Sequence, residues 1–180
     1  MQIGGFDWCI EMSGIDNIQD VWKRLNQERG NGVTCRGRIT RAGESEFTVE
    51  ESKQLLNALR HLHSFTCGFS CGFPFVEGKD RAGKISWVQW GSHYVSPGNT
   101  SHSLLVHNGC DDILASLFPR FWYRLNHGNG WNETLFLAID CYLLSKNSAI
   151  EVGIILVQVV LERLSCLPKF LRKKTKRKYK

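Results

Sequence analysis

No stretch of this 180-residue sequence supplies the roughly 20 clean apolar residues that a membrane-crossing helix needs. The most apolar run, Val152 to Val160, is interrupted by Gln158 and flanked by Glu151, Glu162 and Arg163. The opening residues Met1-Gln-Ile-Gly-Gly-Phe-Asp-Trp8 have neither a basic segment nor an apolar one, so they do not read as a secretory leader. There is no internal repeat, no glycine-rich phosphate loop and no nucleophile elbow. No complete catalytic constellation can be read along the chain, and no cofactor is expected. The seven cysteines (9, 35, 67, 71, 110, 141 and 166) are odd in number and lack a tight framework. Reduced thiols in a cytoplasmic protein are the expectation.

What is present is material for a packed core: 42% hydrophobic and 11% aromatic residues exclude general disorder. The charge is unevenly placed. Eight of the 23 Lys and Arg residues stand from Lys169 onward, leaving 15 basic against 17 acidic side chains in residues 1 to 168. A body with a net charge of −2 offers no broad cationic surface for nucleic acid. Lys169, Arg172, Lys173, Lys174, Lys176, Arg177, Lys178 and Lys180 form a basic tail with three readings. It is a solvated disordered end, an arm that holds RNA or DNA through counterion release, or an anionic-membrane contact joined to the preceding helix.

Local patterns divide the chain. Phe6 to Met12 reads as a short strand, and Asp16 as the cap of a helix carrying Ile18, Val21, Trp22 and Leu25. Val33 to Arg41 reads as a half-exposed strand. Thr48 with Glu51 is a capping box that opens a helix through Leu55, Leu56, Leu59 and Leu62 towards Gly68. Phe73 to Val76 and Ile85 to Trp90 flank a polar hairpin connection, and Leu104 to His107 reads as one more strand. From Asp111 the period is helical: Ile113, Leu114, Leu117 and Phe118 precede a break at Pro119, and a further segment spans Trp131 to Ser145. Ser148 with Glu151 reads as a second capping box, opening a last helix that Pro168 stops. The fold class is therefore α+β: an α+β region over 1 to 108, a helical region over 109 to 168, and the tail over 169 to 180.

Five strings carry a family resemblance: Thr34-Cys-Arg-Gly37-Arg-Ile39-Thr-Arg41, Phe47-Thr-Val-Glu50-Glu51, Trp87-Val-Gln-Trp90-Gly91, Leu117-Phe118-Pro119-Arg-Phe121, and Glu151 to Glu162. In this order they resemble bacterial ApeA-type anti-phage proteins, in which a β-rich N-terminal region precedes a HEPN-like helical domain. HEPN nucleases cleave RNA with an Arg and a His a few residues apart on a late helix, usually paired across a dimer. That late helix has no counterpart here. The resemblance implies a relative truncated before the catalytic helix, a non-catalytic sensor or interaction module of anti-phage defence. Its partner would be a second copy or a missing helical partner, bound through the helix over 149 to 167.

Three groups of residues compete as sites. Arg120 and His127, with Arg124 between them, fit a relaxed Arg-x(6)-His spacing, in which His127 would act on a ribose 2′-hydroxyl while an arginine holds the phosphate. Twelve Arg and six His make about one such match by chance, and this one stands early in the helical region. His61, His63, Cys67 and Cys71 place four metal-ligand types within eleven residues. On one continuous helix His63 and Cys71 would be about 12 Å apart, too far to share an ion. Packed thiols and no bound metal are thus the expectation, unless a break at Gly68 folds Cys71 back. Trp87, Trp90 and Tyr94 beside Lys79, Arg81 and Lys84 resemble a base-stacking platform, although strand alternation sets Trp87 and Trp90 on opposite faces.

Overall fold

The computed structural model describes residues 2–4, 6–17, 19–21, 23, 27, 33, 35–91, 110–127, 131–146 and 148–178, with backbone alone for 110–111 and 166–178. Strands β1 (Gln2–Ile3), β2 (Trp8–Gly14) and β3 (Cys35–Arg41) form an antiparallel sheet in that order. Ile3 lies opposite Ile10, and Ile10 opposite Ile39. Alternation sends Trp8 and Ile10 to the buried face of β2. Gly37 is required by contact, since a Cβ there would lie 2.8 Å from the Glu11 carbonyl oxygen.

Helix α1 (Val49–Cys67) starts at the expected capping box. The Thr48 hydroxyl accepts the Glu51 N–H at 3.2 Å, and the Glu51 carboxylate accepts the Thr48 N–H at 2.7 Å. Arg41 reaches the same carboxylate at 2.9 Å and ties β3 to the helix start. These bonds, the Thr48 backbone N–H foremost, hold Glu51 below the usual carboxylate range. α1 ends at Gly68, whose φ of 75° suits glycine and whose N–H closes the helix onto the Ser64 and Phe65 carbonyls.

Strands β4 (Phe75–Lys79) and β5 (Ile85–Trp90) form a separate two-stranded hairpin. Strand pairing runs through Glu77 and Lys79, so the connection is shorter than the sequence implied. Asp80 closes it by accepting the Lys84 N–H on its side chain at 2.9 Å. The Arg81–Glu46 ion pair at 2.9 Å and Lys53 over the Trp87 ring at 5.9 Å lay the hairpin beside α1.

Helices α2 (Cys110–His127), α3 (Trp131–Lys146) and α4 (Ile150–Lys178) complete the α+β architecture. α2 packs on α1 and β1, α3 on α1 and α2, and α4 on α3. One core cluster joins Ile3, Trp8 and Ile10 of the sheet, Leu55, Ala58, Leu59 and Leu62 of α1, and Leu114 and Phe118 of α2. This cluster draws residues from both sides of the 108/109 division.

Three local expectations are corrected. Pro119 does not break α2: the hydrogen bond it removes is outweighed by the burial of Leu114 and Phe118 on either side of that turn. Pro168 does not stop α4, which continues to Lys178, so most of the tail is helical rather than disordered. Lys and Arg are good helix formers, and cations at a helix C-terminus oppose the negative end of its dipole. Ser148 is not a cap: its hydroxyl donates to the Leu144 carbonyl at 2.8 Å, and the first α4 bond runs from Gly153 N–H to Ala149. On α4 the side chains of Ile150, Ile154, Val157 and Leu161 are exposed, at 79, 62, 48 and 61%. The half-buried face of α4 is instead Gly153, Leu156, Val160 and Leu164. At Gly153 a Cβ would sit 3.4 Å from the Ser145 carbonyl, so its absence allows close approach to α3. Ile18, Trp22 and Leu25 of the helix expected after Asp16, and the strand expected at Leu104 to His107, lie outside the described residues.

Candidate metal centre

The end of α1 gathers three of the four metal-ligand candidates. His63 and Cys67 are one turn apart on the helix, and Cys67 Sγ lies 3.7 Å from His63 Nε2 and 3.9 Å from Nδ1. After Gly68 the chain turns back, and the Cys71 N–H donates to the Ser64 hydroxyl at 2.9 Å. The result brings one donor atom each from His63, Cys67 and Cys71 within 4.8 Å of one another, all three residues half-buried. The distance that appeared to forbid a shared ion assumed one continuous helix. Gly68 ends the helix, so that assumption fails. Ser64 is the residue that sequence reasoning passed over, although a buried serine one turn before a C-terminal glycine is placed to hold the returning loop.

The two thiols influence each other. Cys67 donates to Cys71, which together with burial pushes the Cys67 thiol well up, while the same bond lowers Cys71. His61 is not part of the group. Its Nδ1 lies 2.8 Å from the Asn57 carbonyl, its ring stacks on Phe136 at 4.1 Å between centroids, and Arg60 reaches Nε2 at 3.1 Å. It is a buried packing residue joining α1 to α3, with Asp140 at 3.6 Å.

A family model, the YopA central domain, matches residues 1–101, more than half of the chain. The chain belongs to the YopA central domain family. No curated protein and no solved structure matches it. The three-ligand group, the three-stranded sheet, α1 and the β4–β5 hairpin all lie within the YopA central domain match, and α2 to α4 follow it.

Within the matched part the hairpin divides its tryptophans as alternation requires. Trp87 is half-buried near Lys53, whereas Trp90 is 79% exposed and packs against Phe75 at 4.7 Å. Tyr94 lies outside the described residues. Beyond the match, α2 brings Arg120, Arg124 and His127 to one open depression of about 690 Å³, shared with Phe6, Asp7 and Tyr123. Spacings of four and three residues put all three on one helix face. His127 Nδ1 lies 3.1 Å from the Tyr123 carbonyl and its ring stacks on Tyr123 at 4.4 Å. Nδ1 therefore carries the hydrogen, and Nε2 is the basic nitrogen. Among the described residues no helix is long and apolar enough to cross a membrane.

Proposed function

We propose that this chain is a non-catalytic, cytoplasmic interaction module, a sensor component related to ApeA-type defence proteins, that pairs with a second copy of itself through α4. The carrying observation is the exposed apolar face of that helix, where Ile150, Ile154, Ile155 and Leu161 are each at least 60% accessible. The other side of α4 lies on α3, so this exposed face is the one that α4 offers to a partner. A second copy of the chain offers a face of the same apolar chemistry and length, so self-pairing covers Ile150, Ile154 and Leu161 on both helices at once. The backbone of 169–178 continues the same helix, and the basic residues from Lys169 to Lys180 add weak, salt-sensitive contact with RNA or anionic lipid.

Light scattering coupled to size exclusion tests this reading. The full chain runs as a dimer, and Ile154→Glu with Leu161→Glu converts it to a folded monomer. A chain that is monomeric at high micromolar concentration overturns the proposal. Deleting residues 169–180 leaves the dimer intact and removes nearly all binding to RNA or anionic vesicles, because the remaining body is net negative.

A second reading has its own observation, the convergence of Arg120, Arg124 and His127 on one depression. As a metal-independent ribonuclease the chain would use His127 Nε2 as the base on a 2′-hydroxyl and the two arginines as phosphate clamps. Cleavage of single-stranded RNA that disappears in both His127→Ala and Arg120→Ala selects this reading. Its absence from the full chain removes it.

A further inference from the structure

We propose that His63, Cys67 and Cys71 form a binding site for one zinc ion, with a fourth position open to water or an incoming ligand. The inference does not depend on how α4 is used. It rests on the placement of three donor atoms by separate devices. Helical spacing sets His63 and Cys67 one above the other. The left-handed turn at Gly68 and the Ser64 hydroxyl then fix Cys71 beside them.

The distances fit a tetrahedral ion. With Zn–S of about 2.3 Å and Zn–N of about 2.05 Å, neighbouring donors stand about 3.6 Å apart for N to S and about 3.8 Å for S to S. Cys67 Sγ is already 3.7 Å from His63 Nε2. No pair in the group exceeds 4.8 Å, so the widest gap closes by about 1 Å, within reach of side-chain rotation alone.

The chemistry selects the ion. Two sulfurs and an imidazole suit zinc and exclude the oxygen-seeking magnesium and calcium. On binding, both thiols release their protons to solvent and two thiolates neutralise the dication, so no net charge is left in a half-buried place. Structural zinc sites are closed by four protein ligands, whereas three ligands and half-exposure leave an open position. The ion would clamp the last turn of α1 to the loop entering β4. A two-stranded hairpin is marginal by itself, so this clamp would set its position beside α1.

Cobalt titration of the full chain, reduced and stripped of metal, tests the site. The expected result is saturation at one cobalt per chain, with thiolate-to-cobalt charge-transfer absorption and tetrahedral visible bands that zinc abolishes. Cys67→Ser and Cys71→Ser each eliminate these bands, and His63→Gln weakens binding roughly tenfold or more. Cys35→Ser, on β3, leaves them unchanged. Circular dichroism confirms that each variant is folded. As a second readout, zinc raises the Tm of the unaltered chain but not of Cys71→Ser. A chain with free Cys67 and Cys71 thiols that gives no bands overturns the proposal, as do bands that survive Cys71→Ser. A Cys67–Cys71 disulfide as the resting state in the reducing cytoplasm also overturns it and makes the pair a redox element.

Discussion

Helices α1 and α4 carry apolar side chains at the same spacing and meet opposite fates. In α1, Leu55, Ala58, Leu59 and Leu62 are at most 5% exposed, because they share a core cluster with the sheet and two helices pack on α1. In α4, Ile150, Ile154 and Leu161 stay above 60% exposed, because α3 covers one side only. Periodicity announces that a helix has an apolar face; the number of neighbours decides whether that face is core or surface. Burial in α1 therefore sustains the fold, while the apolar face of α4 is available for binding.

The largest effect is expected where α2 meets the α1 core. Phe118→Ala should cost about 3 to 5 kcal/mol in denaturant unfolding, through lost burial and the cavity left behind. It should lower one common transition, since sheet, α1 and α2 share the cluster. Two separate transitions would break the comparison by making the helices an independent unit. An intermediate effect is expected at the start of α1, where Thr48→Ala should cost about 1 kcal/mol. Acidification probes the same cap. Glu51 is held below its ordinary value of 4.5, so its contribution is complete above that value and is lost as the pH falls through the lower folded one. Thr48→Ala should flatten this acid limb of the stability profile. The smallest effect is expected on α4. Ile154→Ser, measured where the chain is monomeric, should change stability by no more than about 0.5 kcal/mol. A loss of about 2 kcal/mol would mean that the stripe is core after all.

Where structure followed from local chemistry, the sequence was readable. The Thr48–Glu51 box, the glycine end of α1 and the β4–β5 hairpin rest on bonds between near neighbours. Pro119 and Pro168 misled because a rule about one lost hydrogen bond says nothing of the burial or charge on either side. The periodicity of α4 does not tell its faces apart, because that helix is apolar almost all round; the fit of Gly153 against Ser145 marks the side that meets α3. At the metal centre the ligand types and the break at Gly68 were both visible. The direction in which Cys71 returns was not, since it is set by the buried Ser64 hydroxyl, a tertiary partner.

The shared core also orders events in time. Ile3 lies in the same cluster as Phe118, with most of the chain between them. A ribosome releases β1, β2 and α1 well before Leu114 and Phe118 emerge to cover them. The closure entropy of so long a loop grows slowly, by about 0.6 kcal/mol per doubling, so the finished protein loses little stability. The delay falls on the rate, because distant contacts must be found by search. In that interval Trp8, Ile10 and Leu59 present an uncovered apolar surface, which is a binding site for a chaperone and a seed for aggregation. A fragment stopping at residue 101 would hold this state permanently and should precipitate rather than fold.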